Sequence, residues 1–256
     1  MTPSYTWSNQ CSVRTDRICR SEHGRRPGRK TSYRVQMGNG RPLAGHISPP
    51  RYHQLGAIMA SLHNHAESLR IPTRSQPKRW DNVFYYRNAP VVYNTTEYRH
   101  LFAPEQVDLI DHAIAHVGPF LANLCYELGE PFIIHADLNP WNVHIHRGRL
   151  YVIDVEDVAL GYPFQDIAIC LYCLRHAPDY AELAAAFQAG YTTGHPWPSF
   201  SQRDLHRLWV ARIVNFINYA AHTDDPQSAT AFINARCQEL ERYLSTTTDV
   251  PQCGSG

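Results

Sequence analysis

Charge of one sign is what this sequence lacks. Its 256 residues carry 24 lysines and arginines against 23 aspartates and glutamates, a formal net charge of +1. Broad binders of nucleic acid or anionic membrane are far more basic, so neither partner is expected. Long apolar runs are missing too; nothing approaches the ~20 residues of a membrane-spanning helix. The N-terminus has no charged-then-apolar secretory pattern, and a cytoplasmic, reduced setting is the expectation. Cysteine pairs are also scarce. The count is seven, an odd number, with Cys11 and Cys19 in a polar stretch and Cys170 and Cys173 forming a CxxC inside the apolar run DIAICLYCLR. A redox or zinc CxxC sits at a turn or helix start, usually with a second pair elsewhere. At helical spacing these two read as core.

Apolar periodicity is absent from residues 1–50, which are rich in Arg, Gly, Ser and Pro and read as a poorly ordered segment. The cluster Arg25, Arg26, Arg29 and Lys30 reads as a solvated run. Order is expected over 51–245, followed by a flexible tail at 246–256. From Tyr52, the residues Leu55, Ile58, Met59, Leu62 and Ala66 recur at helical spacing. In that helix His63 and His65 are wrongly spaced for a metal pair, which prefers i and i+4. A long helix is predicted from Pro104, with Val107, Ile110, Ile114, Val117, Leu121 and Leu124 as its stripe, a kink at Pro119 and a stop at Gly129. PFIIHADL reads as a strand entering a loop, and NVHIH and LYVID as a hairpin turning at Arg147-Gly148-Arg149. From Gln165 to near Leu244 the pattern is helical, with breaks at HAPDY and GHPWPS. The polar, reactive residues gather on the hairpin and its entry loop.

Asp137 and Asn142 flank that loop, and Asp154 follows one hairpin later. A hairpin returns the chain on itself, so Asn142 at its start and Asp154 at its end come close. An amide oxygen and a carboxylate are hard ligands that suit Mg²⁺, which takes its remaining ligands from phosphates and water. Asp137, one loop back, is free to accept a proton. A base for an attacking hydroxyl beside ligands for a phosphate-bound metal is a phosphoryl-transfer constellation. An Asp at a strand end is also a common turn former. His144 and His146 share a strand face, and with Asp154 they raise a zinc alternative that no spaced Cys or Glu supports.

The stretch HADLNPWNV…VIDVEDVALGYPFQDIA resembles the aminoglycoside phosphotransferase and choline kinase family, whose members carry H-G-D-x-x-x-x-N, I-D-x-x-D and a later D-[LI]-A. Here these are His135 to Asn142, Ile153 to Asp157, and Asp166-Ile167-Ala168, in order. LGAIMASLHNHA at 55–66 resembles the helix preceding the catalytic region, and the likeness covers roughly 50–245. The resemblance implies an α+β, mainly helical fold, a protein kinase-like C-terminal lobe with a small central β-hairpin. It implies ATP as phosphate donor, Mg²⁺, and a small-molecule alcohol as acceptor: an amino sugar, a choline-like amine, homoserine or another metabolite. Asp137 would be the base, Asn142 and Asp154 the metal ligands. His135 and Asp166 would be structural, with Asp166 bracing the loop backbone. Glu156 and Asp157 lie beside the metal site, where metal assistance and loop bracing are both open. The acidic acceptor pocket of the family has Asp179, Glu182, Asp204, Asp224 and Asp225 as candidates by location.

The family also needs a β-rich N-terminal lobe carrying a lysine for the nucleotide phosphates. Lysine occurs here only as Lys30, without an apolar strand around it, and Lys78, past where such a lobe ends. The expectation is therefore a lobe absent or replaced and no phosphate lysine. It leaves a second hypothesis open: a helical binding module that does not turn over ATP.

Overall fold

The structure, a computed structural model, describes residues 40–71, 77–85, 90–222 and 225–247. The basic cluster at 25–30, Lys30 itself, Cys11, Cys19, Asp224 and the tail beyond 247 lie outside the described residues. Among the described residues, six α-helices carry more than half: α1 (Pro49–Ser68), α2 (Pro104–Leu128), α3 (Pro163–Tyr172), α4 (Tyr180–Tyr191), α5 (Gln202–Ala220) and α6 (Pro226–Thr247). Four of them start with Pro in the first turn, where its missing N–H costs nothing and its fixed φ suits the helix. The boundary expected at residue 50 falls inside α1, and Leu43 upstream of it is fully buried. Helix α2 runs through Pro119 and stops at Gly129, whose φ of +81° a side chain would resist. The breaks at HAPDY and GHPWPS separate α3, α4 and α5. A third, between Ala220 and Pro226, was not expected.

Among the described residues six short strands form two three-stranded sheets, which contain the expected hairpin and the strand expected at PFII. In the first, β1 (Arg41–Pro42) pairs antiparallel with β4 (Val143–His146), which pairs with β5 (Arg149–Val152). Arg147 and Gly148 both have positive φ, the two-residue turn whose twist matches the strands it joins. In the second sheet, β6 (Ala159–Gly161) lies between β2 (Lys78–Arg79) and β3 (Phe132–Ile134). Strands of two or three residues are too short to show alternation, which is why β1, β2 and β6 escape a pattern search.

Helices α1 and α4 touch backbone to backbone. A Cβ on Gly190 would lie 1.9 Å from the His53 carbonyl oxygen, and one on Gly56 2.1 Å from that of Phe187. One continuous core joins α1, both sheets and the helices through Leu244. Cys170 lies in it, fully buried, and burial followed by the Asp166 charge pushes its thiol far above the usual range. Cys173 is half-buried beside it.

Candidate active site

The loop from His135 to Asn142 connects the two sheets. It is held from below by Asp166, in the first turn of α3. The Asp166 carboxylate accepts the backbone N–H of His135 at 2.8 Å and of Ala136 at 2.7 Å. Ala136 has φ of +60°, a conformation uncommon without glycine, and its carbonyl accepts the Tyr85 hydroxyl at 3.3 Å. Thus both peptide groups around the unusual residue are tied down. His135 Nε2 lies 3.3 Å from the Ile153 carbonyl, and its Nδ1 accepts the Asp137 N–H at 3.4 Å. Asn139 forms an Asx turn, its side-chain oxygen accepting the Trp141 N–H at 2.9 Å.

Asp137 faces two side chains. Asn142 Nδ2 donates to its Oδ2 at 2.8 Å and to its carbonyl oxygen at 2.9 Å. Arg212, from α5, donates through Nη2 to its Oδ1. Both partners of the Asn142 amide are acceptors, which fixes the amide's orientation and turns Oδ1 away from Asp137. The Asn142 carbonyl accepts the Ile153 N–H at 2.9 Å, extending the β4–β5 ladder by one pair. Asp154 is the next residue. It is exposed, has φ of +61°, and its carboxylate makes no hydrogen bond or ion pair among the described residues. One amide oxygen and one carboxylate are a fitting donor set for a small divalent cation that keeps most of its ligands from phosphate and water. No three His, Cys, Asp or Glu side chains among the described residues come together as a metal cluster.

The flanking acids divide. Asp157 accepts Lys78 Nζ at 3.2 Å, and Lys78 also donates to the Glu156 carbonyl at 3.3 Å, so the loop past Asp154 is anchored to β2. The Glu156 side chain is exposed. The acidic residues considered for an acceptor pocket sit at helix starts. Asp204 closes a capping box with Ser201, and Asp225 accepts the N–H groups of Gln227 and Ser228. Asp179 precedes α4 and Glu182 is exposed in its first turn. Of the aromatics, Tyr172 and Trp209 are core, with Trp209 Nε1 donating to the Ala168 carbonyl at 2.9 Å.

Two site residues escaped the sequence reading, Arg212 and His63. His63 Nε2 lies 3.2 Å from Asp166 Oδ2, which can only accept, so that nitrogen carries the proton. A chain of contacts continues outward: His63 Nδ1 to the Tyr191 hydroxyl at 2.8 Å, Tyr191 to His195 Nδ1 at 3.1 Å, and His195 Nε2 to Glu67 at 3.0 Å. Burial, then the Asp166 and Glu67 charges, push the Tyr191 phenol upward and keep it protonated. The available signal was His63 standing one turn past Met59 on the apolar stripe of α1; a histidine there needs a buried partner. Arg212 gave a parallel signal, a charge within the apolar run WVARIV.

A helical lobe with a braced loop, then a hairpin ending on an exposed aspartate, has the architecture of a kinase-like C-terminal lobe. A family model described as "Phosphotransferase enzyme family" (APH) matches residues 33–200, and the chain belongs to that family. Among solved structures it is similar to a microcompartment-associated aminopropanol kinase, at 21% identity and TM-score 0.59, covering 78% of this chain and 64% of that one. It is also similar to an amicoumacin kinase in complex with AMP-PNP and Ca²⁺, at 17% identity and TM-score 0.64, covering 80% and 63%. A choline kinase from Streptococcus pneumoniae matches at 15% identity and TM-score 0.54, covering 81% and 68%. The chain thus spans under two thirds of the length of the first two. A comparison with curated protein sequences finds no match. No helix among the described residues is long and apolar enough to cross a membrane.

Proposed function

We propose that this protein is a small-molecule phosphotransferase moving the γ-phosphate of ATP to an alcohol hydroxyl. The observation that carries the reading is the Asp137–Asn142 pair. Its 2.8 Å contact holds a carboxylate at the loop tip and turns an amide oxygen outward beside the start of the Asp154 loop. Asp137 accepts the acceptor's hydroxyl proton as the oxygen attacks phosphorus. Asn142 Oδ1 and the Asp154 carboxylate hold Mg²⁺, which when bound offsets charge on the phosphates. Asp166 keeps the loop backbone in place through both N–H bonds, and His135 ties the loop to Ile153. Asp157, engaged by Lys78, braces the segment after the metal ligand. The alcohols acted on by the aminopropanol and choline kinases above make amino alcohols the first acceptors to try.

Calorimetry with Mg-ATP, on the wild type and on Asp154→Ala, tests the reading. Micromolar binding that disappears in the variant is the expected result. No binding at millimolar Mg-ATP would overturn the enzyme reading and leave a helical binding module of kinase ancestry.

A further inference from the structure

We infer that Arg212 is a positioning residue for the transfer step, acting through Asp137; this rests on the phosphotransferase reading above. Arg212 lies 75 residues from Asp137 in sequence and reaches it from the middle of α5. Its side chain is 8% exposed and that of Asp137 20%. The guanidinium carbon stands 4.5 Å from the centre of the Phe216 ring one turn along the same helix, which fixes its plane. The residues around it on α5, Trp209 to Val214, are otherwise apolar and buried. A guanidinium in that setting is costly unless a carboxylate answers it, and Asp137, the carboxylate proposed to take the proton, accepts from it.

The geometry is a two-sided clamp. Asn142 holds Oδ2 and Arg212 holds Oδ1, so the carboxylate cannot rotate about its terminal bond without breaking one contact. A carboxylate offers about four lone-pair sites. The clamp takes one on each oxygen and leaves acceptor capacity for a hydroxyl in one fixed orientation. In the step itself, the acceptor oxygen forms a bond to the γ-phosphorus and the bond from phosphorus to the bridging oxygen of ADP breaks. The electron pair leaves on ADP, and the hydroxyl proton passes to Asp137. Arg212 then faces a neutral acid beside a newly transferred anionic phosphoryl group, so its charge remains answered after the proton has moved. Arginine suits this duty better than lysine because its planar fork sets an angle as well as a charge.

The test is a double-mutant cycle of Arg212→Gln and Asp137→Asn. ADP release is measured with ethanolamine, choline and 1-amino-2-propanol as acceptors, and with water alone. Mg-ATP affinity is measured separately by calorimetry. The expected result is a fall in kcat of about 100-fold for Arg212→Gln, with Mg-ATP affinity within about threefold of wild type. In the Asp137→Asn background the same change should cost almost nothing, which a merely structural role would not produce. Arg212→Lys should recover only part of the rate, and added guanidinium ion should partly rescue Arg212→Gln. Equal losses in both backgrounds, or a kcat within threefold of wild type, would overturn the inference. A wild type that binds no Mg-ATP would instead overturn the phosphotransferase reading and this inference with it. Tight Mg-ATP binding combined with ADP release insensitive to Arg212 would overturn the inference alone.

Discussion

Replacing Asp137 with alanine removes more than the proposed proton acceptor. Arg212 is only 7% exposed and would lose the carboxylate that its Nη2 donates to. Breaking a buried pair from one side costs about 3–5 kcal/mol. Asp137→Asn keeps an oxygen for Arg212 and should cost clearly less. Urea denaturation of the two variants is the check; an Asp137→Ala variant as stable as wild type would show that the pair contributes no stability. The practical consequence is that Asp137→Ala is a poor inactive control, since lost activity and lost folding would coincide. At this scale the sequence showed what is local. His135, Asp137 and Asn142 fall within one short loop, where spacing alone predicts proximity. Arg212 and His63 reach the site across 75 and 103 residues, and no spacing rule connects such positions.

Packing between elements rests on two different devices. At the α1–α4 crossing, Gly56 and Gly190 let the backbones meet, and an added methyl at Gly190 would run into main chain that cannot move aside. Gly190→Ala is expected to destabilise by about 3 kcal/mol or more, at the upper end for overpacking. A thermal melt within a degree or two of wild type would refute it. Between α3 and α6 the device is charge. Glu239 is 1% exposed and bonded to Arg175, which follows α3, and to Arg236 one turn back on α6. Burial alone would push its carboxyl up. Hydrogen bonds from His176 and Arg175, with the charges of Arg175 and Arg236, outweigh burial and hold it at about 2, against an ordinary 4.5. The folded value is the lower one, so the stabilisation is complete above about pH 4.5 and is lost as pH falls from there toward 2. Denaturation midpoints at pH 7, 4 and 3 should fall for the wild type. For Glu239→Gln they should start lower and vary less over that range. The helices themselves were legible from their 3.6-residue stripes and proline starts. The contacts between them were not, because a stripe says which face is buried and not against what.

For the molecule as a whole, the core is continuous from Leu43 to Leu244. Trp80, beside the β2–β6 sheet, and Trp209, in α5, are both buried in it. Unfolding is therefore expected as one transition, with tryptophan fluorescence and far-ultraviolet circular dichroism giving the same midpoint in guanidinium chloride. Separate midpoints would mean that the strand-bearing half and the helical half fold as distinct units. The sequence by itself determined the fold class, the family and the place of the His135–Asn142 loop, because these are written in local periodicity and in motifs only a few residues long. Tertiary structure decided the rest: the short strands that complete two sheets around the hairpin, the backbone contact of α1 and α4, the histidine behind Asp166 and the arginine on Asp137. Each depends on which distant side chain meets a buried charge or fills the space beside a glycine, and only the packed chain fixes that.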